Sequence, residues 1–276
     1  MHSRPHLTTN TALINGVPIA YDVIGNGPPI VFLHAGIADR RMWDDQLAVF
    51  ATDHRVLRYD LRGFGATPLP TGTFSPRADL RALLAHLDAS PAVTIGCSFG
   101  GKTALEAVLE FPDIARALVL VNAPLGGYDW GTELEESEAE IEAAYSAGDF
   151  DLAAEIDLRT WIDGPQRTPE QVDAAFRERA RIMAQHVYEV ANTDVEASPE
   201  PFGTPAIARL AEIRVPTLII AGELDQPAMI DMARLMAEGI SNARFVSIPN
   251  AAHLPNMERP DEFNRIVQEF LTVIGQ

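Results

Sequence analysis

Cysteine is nearly absent: Cys97 is the only one in 276 residues. A single thiol excludes an intrachain disulfide and a cysteine-rich zinc site. Positive charge is scarce as well, with 21 Lys and Arg against 39 Asp and Glu and a formal net charge of −18 at pH 7. So acidic a surface repels phosphate backbones and anionic lipid, which argues against nucleic-acid or peripheral-membrane partners. Long apolar runs are missing too. None approaches the roughly 20 residues that span a bilayer, and the first ten residues lack the apolar stretch of a signal peptide. The expectation is a soluble, cytoplasmic protein. What is present, 47% hydrophobic and 22% charged residues, suits a globular chain of one domain plus an insertion.

Strand and helix signals alternate along the chain. Short apolar runs rich in β-branched residues predict buried strands at Val17–Ile24, Ile30–His34, Arg55–Tyr59, Ala92–Gly96, Ala117–Val121, Pro216–Ala221 and Arg244–Ile248. Between them lie segments of helical period. Leu80, Leu83, Leu84 and Leu87 follow i, i+3, i+4, i+7 behind Ser75 as N-cap and Pro76 at the first helical position. Phe263, Ile266, Val267 and Phe270 repeat that spacing. This alternation predicts an α/β fold, a mostly parallel sheet of about eight strands with helices on both faces. The Asn15-Gly16 turn predicts an antiparallel hairpin at one edge.

The alternation breaks once, from about Pro124 to about Ala211, where no strand is evident and at least three helical stretches are. Thr132 with Glu135, and Thr168-Pro169 with Gln171, form capping-box patterns. Val172, Phe176, Ala180, Met183 and Val187 mark an apolar stripe after the second. Residues 131–200 hold 18 acidic residues and 5 arginines, which reads as a solvated helical face. The predicted organisation is a core of residues 1–123 and 212–276, with 124–211 inserted as a helical cap over the sheet's edge.

Gly96-Cys-Ser98-Phe-Gly100 sits between a predicted strand and a predicted helix, the context that gives G-x-S-x-G its meaning. A nucleophile on so sharp a turn needs neighbours without side chains, which Gly96 and Gly100 supply. The following helix aims its N-terminal amides at the serine, favouring an oxyanion there. A serine needs a base, and the base a carboxylate. Of the seven histidines, His2 and His6 lie in the terminus, His86 and His186 within helices, and His54 at the wrong end of a strand. His34 reads as a loop anchor bonded to backbone. His253 lies in a loop just after a strand, where an open α/β sheet places its site. Asp225 follows the preceding strand at the same edge. Glu223, two residues nearer that strand, is a rival acid, and Asn122 holds a comparable position without charge. Cys97 reads as a small packed side chain. Asp60 and Arg62 read as a turn-fixing pair. Trp43, Trp130, Trp161, Phe99, Met183, Met229 and Met257 could line an acyl pocket, though each also suits ordinary core.

Over nearly its whole length the chain resembles the α/β-hydrolase family. Phe32-Leu-His-Ala-Gly36 looks like its oxyanion-hole segment, with Ala35 where a glycine is usual. Tyr59-Asp-Leu-Arg-Gly-Phe-Gly65 matches its D-x-R-G-x-G turn, and His253-Leu-Pro with Glu258-Arg-Pro260 matches the stretch around its catalytic histidine. The order Ser98, Asp225, His253 is that family's. The resemblance implies a triad of those residues, with oxyanion donors in the amides of Gly36 and Phe99, and no metal or organic cofactor. Within the family the chain is similar to esterases of the 3-oxoadipate enol-lactonase and cofactor-free haloperoxidase group.

The leading expectation is a serine hydrolase of carboxylic esters or lactones, with a small-molecule substrate and either a monomeric or homodimeric state. Carbon–carbon bond hydrolysis and perhydrolysis use the same triad and stay open. Haloalkane dehalogenase and epoxide hydrolase are disfavoured, since relatives with those activities carry aspartate where this chain has Ser98. A ligand sensor with slow turnover is the alternative of a different class.

Overall fold

A computed structural model describes residues 9–191 and 195–275; His2 and His6 lie outside the described residues. The strands are β1 (Asn10–Ile14), β2 (Val17–Ile24), β3 (Pro29–Leu33), β4 (Arg55–Tyr59), β5 (Gly72–Phe74), β6 (Ala92–Cys97), β7 (Ala115–Val121), β8 (Ala197–Pro199), β9 (Thr217–Gly222) and β10 (Ala243–Ile248). Eight of them form one sheet in the order β1-β2-β4-β3-β6-β7-β9-β10. The pairs from β4 to β10 are parallel, while β2 runs antiparallel to both β1 and β4. Asn15 and Gly16 both take positive φ in the β1–β2 turn, the conformation that a tight hairpin demands and that this residue pair tolerates.

The central strands are apolar throughout because both faces are covered. Ile30 and Phe32 of β3, Val93 and Ile95 of β6, and Val119 of β7 point into one apolar layer. Their neighbours Val31, Leu33, Leu118 and Leu120 point into the other. Cys97 joins the first layer, fully buried. The helices are α1 (Asp44–Phe50), α2 (Pro76–His86), α3 (Phe99–Glu110), α4 (Glu135–Ser146), α5 (Phe150–Asp157), α6 (Ala174–Ala191), α7 (Pro227–Gly239), α8 (Pro255–Glu258) and α9 (Pro260–Val273). Ser75 Oγ caps α2 by accepting from the Ala78 amide, and Leu80, Leu83 and Leu84 turn inward. In α9 the inward residues are Phe263, Ile266, Val267 and Phe270. No helix among the described residues is long and apolar enough to cross a membrane.

Between β7 and β9 the chain leaves the sheet and builds α4, α5 and α6; α5 packs on both α4 and α6, and the Trp161 carbonyl in the turn after α5 accepts from the His253 amide. Two expectations fail here and one holds in part. The segment does hold a strand, β8, which pairs in parallel with β5 outside the main sheet; its Ala-Ser-Pro sequence carries no apolar alternation to announce it. Thr132 caps nothing with its side chain: α4 starts at Glu135 behind Leu134, and only the Thr132 carbonyl is engaged. The box at Thr168 does form, since Gln171 Oε1 accepts from the Thr168 amide at 2.8 Å, but it closes a single 3₁₀ turn. Asp173 starts α6 instead, accepting from the Phe176 amide at 2.8 Å.

Candidate active site

Ser98 stands between β6 and α3 at φ 49° and ψ −119°, a left-handed backbone that L residues avoid unless their surroundings impose it. The imposition is visible in the flanking glycines. A Cβ on Gly96 would lie 2.3 Å from the Gly100 carbonyl oxygen, and one on Gly100 would lie 2.5 Å from the carbonyl oxygens of Leu33 and His34. The turn can be this tight only without those side chains. It lifts Ser98, half-buried, onto the N-terminal end of α3, whose first amides have no intrahelical acceptor. Neither the Phe99 amide nor that of Gly36 donates to any described residue, and a Cβ on Gly36 would be 3.6 Å from the Phe99 Cβ. Gly36 and Phe99, each with an amide that lacks an acceptor among the described residues, thus approach one another beside the elbow.

His253 and Asp225 come from consecutive loops at the same edge. His253 Nδ1 donates to Asp225 Oδ2 at 2.8 Å, both residues being buried. A carboxylate only accepts, so the ring proton sits on Nδ1 and leaves Nε2 unprotonated in the neutral imidazole. The Gln226 amide occupies the other Asp225 oxygen at 2.8 Å. Glu223 is exposed, with its backbone amide on the Ile248 carbonyl. No hydrogen bond joins Ser98 Oγ to His253 among the described residues. Such contacts often close only when substrate is bound.

The loop that carries His253 is pinned from three sides. Asn122, at φ 40° just beyond β7, donates Nδ2 to the carbonyls of Ala252 at 3.1 Å and His253 at 2.9 Å. Its Oδ1 accepts from the Gly222 amide at the end of β9. Glu258 Oε2 accepts from the Ala252 amide at 2.9 Å, while its Oε1 pairs with Arg167 of the helical segment at 2.5 Å. A π-helical turn, Leu158–Asp163, completes the clamp: the Trp161 carbonyl accepts from the His253 amide at 3.2 Å, and the two rings pack with centroids 4.5 Å apart, tilted by 42°. Sequence reading assigned Asn122 no role and overlooked Glu258 as an anchor. The place of Asn122 after a core strand, beside those of Asp225 and His253, was the available signal.

His34 has its two ring nitrogens committed. Nδ1 faces the Ala35 carbonyl at 2.8 Å and must donate, so Nε2 accepts from the Leu61 amide at 2.9 Å. Burial lowers its pKa, keeping the ring neutral. Cys97 is sealed under the site and burial pushes its thiol pKa well up, leaving it inert as a nucleophile. The expected Asp60–Arg62 pair does not form. Arg62 binds both oxygens of Asp79 at 2.6 and 2.7 Å, while Asp60 takes the amides of Arg40 and Ala66 and pairs with the Arg40 guanidinium. The two residues stand two apart in sequence but take different partners.

A cavity of about 480 Å³ opens over Ser98, lined among others by Trp130, Trp161, Met229, Glu135 and Glu138. Trp43, Met183 and Met257 are instead buried in the apolar layer, and Phe99 packs on Phe64 with ring centroids 6.1 Å apart. Behind the π-helical turn, Asp157 is buried and accepts from the Tyr188 hydroxyl at 2.5 Å. Burial pushes its carboxyl pKa up to about 6, against the opposing pull of Tyr188 and of charge on His253. No three His, Cys, Asp or Glu side chains among the described residues converge to hold a metal ion.

Comparison with known proteins agrees with this geometry. Residues 30–266 match the model of the alpha/beta hydrolase family. Two enol-lactonases of Acinetobacter baylyi are similar to the chain. 3-oxoadipate enol-lactonase 2 is 26% identical, covering 94% of this chain and 95% of its own. 3-oxoadipate enol-lactonase 1 is 30% identical, covering 90% of each. Among solved structures, the enol-lactonase from Burkholderia xenovorans superposes with a TM-score of 0.77 at 25% identity, over 95% of this chain and 99% of that one. The sheet, the elbow and these matches lead to one conclusion: the chain belongs to the alpha/beta hydrolase family.

Proposed function

We propose that the protein hydrolyses carboxylic esters or lactones through an acyl-enzyme on Ser98. The observation that carries this reading is the buried His253–Asp225 pair at the loop edge where Ser98 stands exposed to a cavity. Ser98 Oγ attacks the substrate carbonyl carbon while His253 Nε2 takes its proton. Asp225 holds the imidazole in the tautomer that makes this possible and stabilises the imidazolium that results. The carbonyl oxygen, now an anion, takes hydrogen bonds from the amides of Gly36 and Phe99. His253 then returns the proton to the departing alkoxide, which leaves as the alcohol, or as the second end of an opened lactone. Water, deprotonated by the same nitrogen, attacks the acyl-enzyme and frees the acid and Ser98.

The enol-lactonase relatives support lactones and esters as the bond type. Residues 124–211 act in this reading as a cap, whose Trp130, Leu134 and Trp161 close the acyl side of the cavity. The test is turnover of a short p-nitrophenyl ester by the wild type and by Ser98→Ala. Triad loss can cost on the order of a million-fold in turnover, so the folded variant should show only background hydrolysis. Turnover near the wild-type rate in that variant would end the reading.

A further inference from the structure

The walls of the cavity over Ser98 carry charge of one sign. Glu135 and Glu138 stand on its rim, both exposed, while no lysine or arginine among the described residues lines it. They are three residues apart on α4 and so share a face. Neither carboxylate is paired with a cation among the described residues. The first turn of α4 offers partial positive charge, equivalent to roughly half an elementary charge. That is too little to cancel two full carboxylates, and Glu136 in the same turn adds a third. The same cavity is lined by Trp130, Trp161 and Met229. Aromatic faces attract cations and have nothing to offer a carboxylate.

We infer that this site selects esters whose distal group is cationic, an alkylammonium in particular, and turns away anionic ones. The inference rests on the ester-hydrolase reading above and names its substrate class. It also separates this chain from a lactonase acting on a dicarboxylic acid, because an enol-lactone of such an acid keeps one free carboxylate. That carboxylate would meet Glu135 and Glu138 with no cation to receive it. Like charges across so narrow a space disfavour binding, and a cleft lined by one sign concentrates the opposite one.

The test uses three p-nitrophenyl esters that differ only at the far end of the acyl chain: trimethylammonium, tert-butyl or carboxylate. At low salt kcat/KM should fall in that order, with the cationic member favoured over the anionic by at least about tenfold, and the preference should shrink as salt is added. Glu135→Gln with Glu138→Gln should reduce the cation-to-anion ratio several-fold. Glu140→Gln with Glu238→Gln changes net charge equally at exposed sites off the cavity and should leave the ratio in place. Equal hydrolysis of the anionic and cationic members, or equal shifts in the two double variants, would overturn the inference while leaving ester hydrolysis standing. Binding of tetramethylammonium, followed by tryptophan fluorescence, serves as a readout without turnover. If none of the esters is cleaved yet tetramethylammonium binds and the Glu135/Glu138 variant weakens it, the hydrolase reading falls and the charge selection stands. If neither cleavage nor such binding is found, both fall.

Discussion

Asp225 and His253 are joined at 2.8 Å in a buried hydrogen bond, and Glu223, two residues earlier on the same turn, faces solvent. Asp225→Asn keeps the size and shape but lets the amide favour the wrong imidazole tautomer and removes the charge that stabilises the imidazolium. The account expects kcat to fall on the order of a thousand-fold or more, as the same change does in serine proteases. Glu223→Gln should stay within a few-fold of wild type. Kinetics of the two variants decide between the carboxylates.

Asn122 should matter for activity although it does not reach the substrate. Asn122→Asp preserves shape but turns a donor into an acceptor facing the carbonyls of Ala252 and His253. Leaving buried partners unpaired costs roughly 1–3 kcal/mol, so melting temperature and kcat should drop together. An Asn122→Asp protein with wild-type kcat would show that the His253 loop does not depend on this clamp.

The stability of the protein should carry a signature of Asp157. Its folded pKa, raised to about 6 by burial, lies above the unfolded value near 3.9. The protonated form is therefore the one the fold favours: the stabilisation is complete below about pH 4 and is lost as pH rises toward 6. The shift of about 2 units corresponds to about 3 kcal/mol as an order of magnitude. Asp157→Asn keeps an acceptor for Tyr188 and carries no charge. Calorimetry should find it more stable than wild type at pH 7 and nearly equal at pH 4. Parallel stability curves for the two proteins across that range would contradict the assignment.

Trp161 and Met183 should part company. Trp161 lines the cavity and packs against His253, so Trp161→Ala should change the ranking among acyl chain lengths. Met183 lies in the apolar layer with Phe176 and Ala180. Met183→Ala should cost about 2–5 kcal/mol of stability and leave the ranking alone. A panel of straight-chain esters with both variants reads this out.

Most of the sheet could be read from the chain because its strands are buried on both faces. Val31, Phe32 and Leu118–Val121 advertise a strand by composition alone, and the ends found lie within two residues of those expected. The elbow was legible for a related reason: Gly96 and Gly100 are required by backbone contacts within a few residues of Ser98. The positions of Asp225 and His253 followed from which ends of the strands their loops leave. What escaped depends on distant packing. The Arg62–Asp79 pair spans a turn and a helix, β5 and β8 have no apolar period, and the Arg167–Glu258 link joins residues far apart in the chain. Nothing local encodes such partners.

The central claim is that Ser98, and no other group, carries the acyl chain. The direct measurement is peptide mapping by mass spectrometry after reaction with a fluorophosphonate, run on the wild type and on Asp225→Asn. The account predicts one adduct, on the peptide that contains Ser98, formed far more slowly when Asp225 is changed. An adduct on Cys97, or none on the folded wild-type protein, would contradict it.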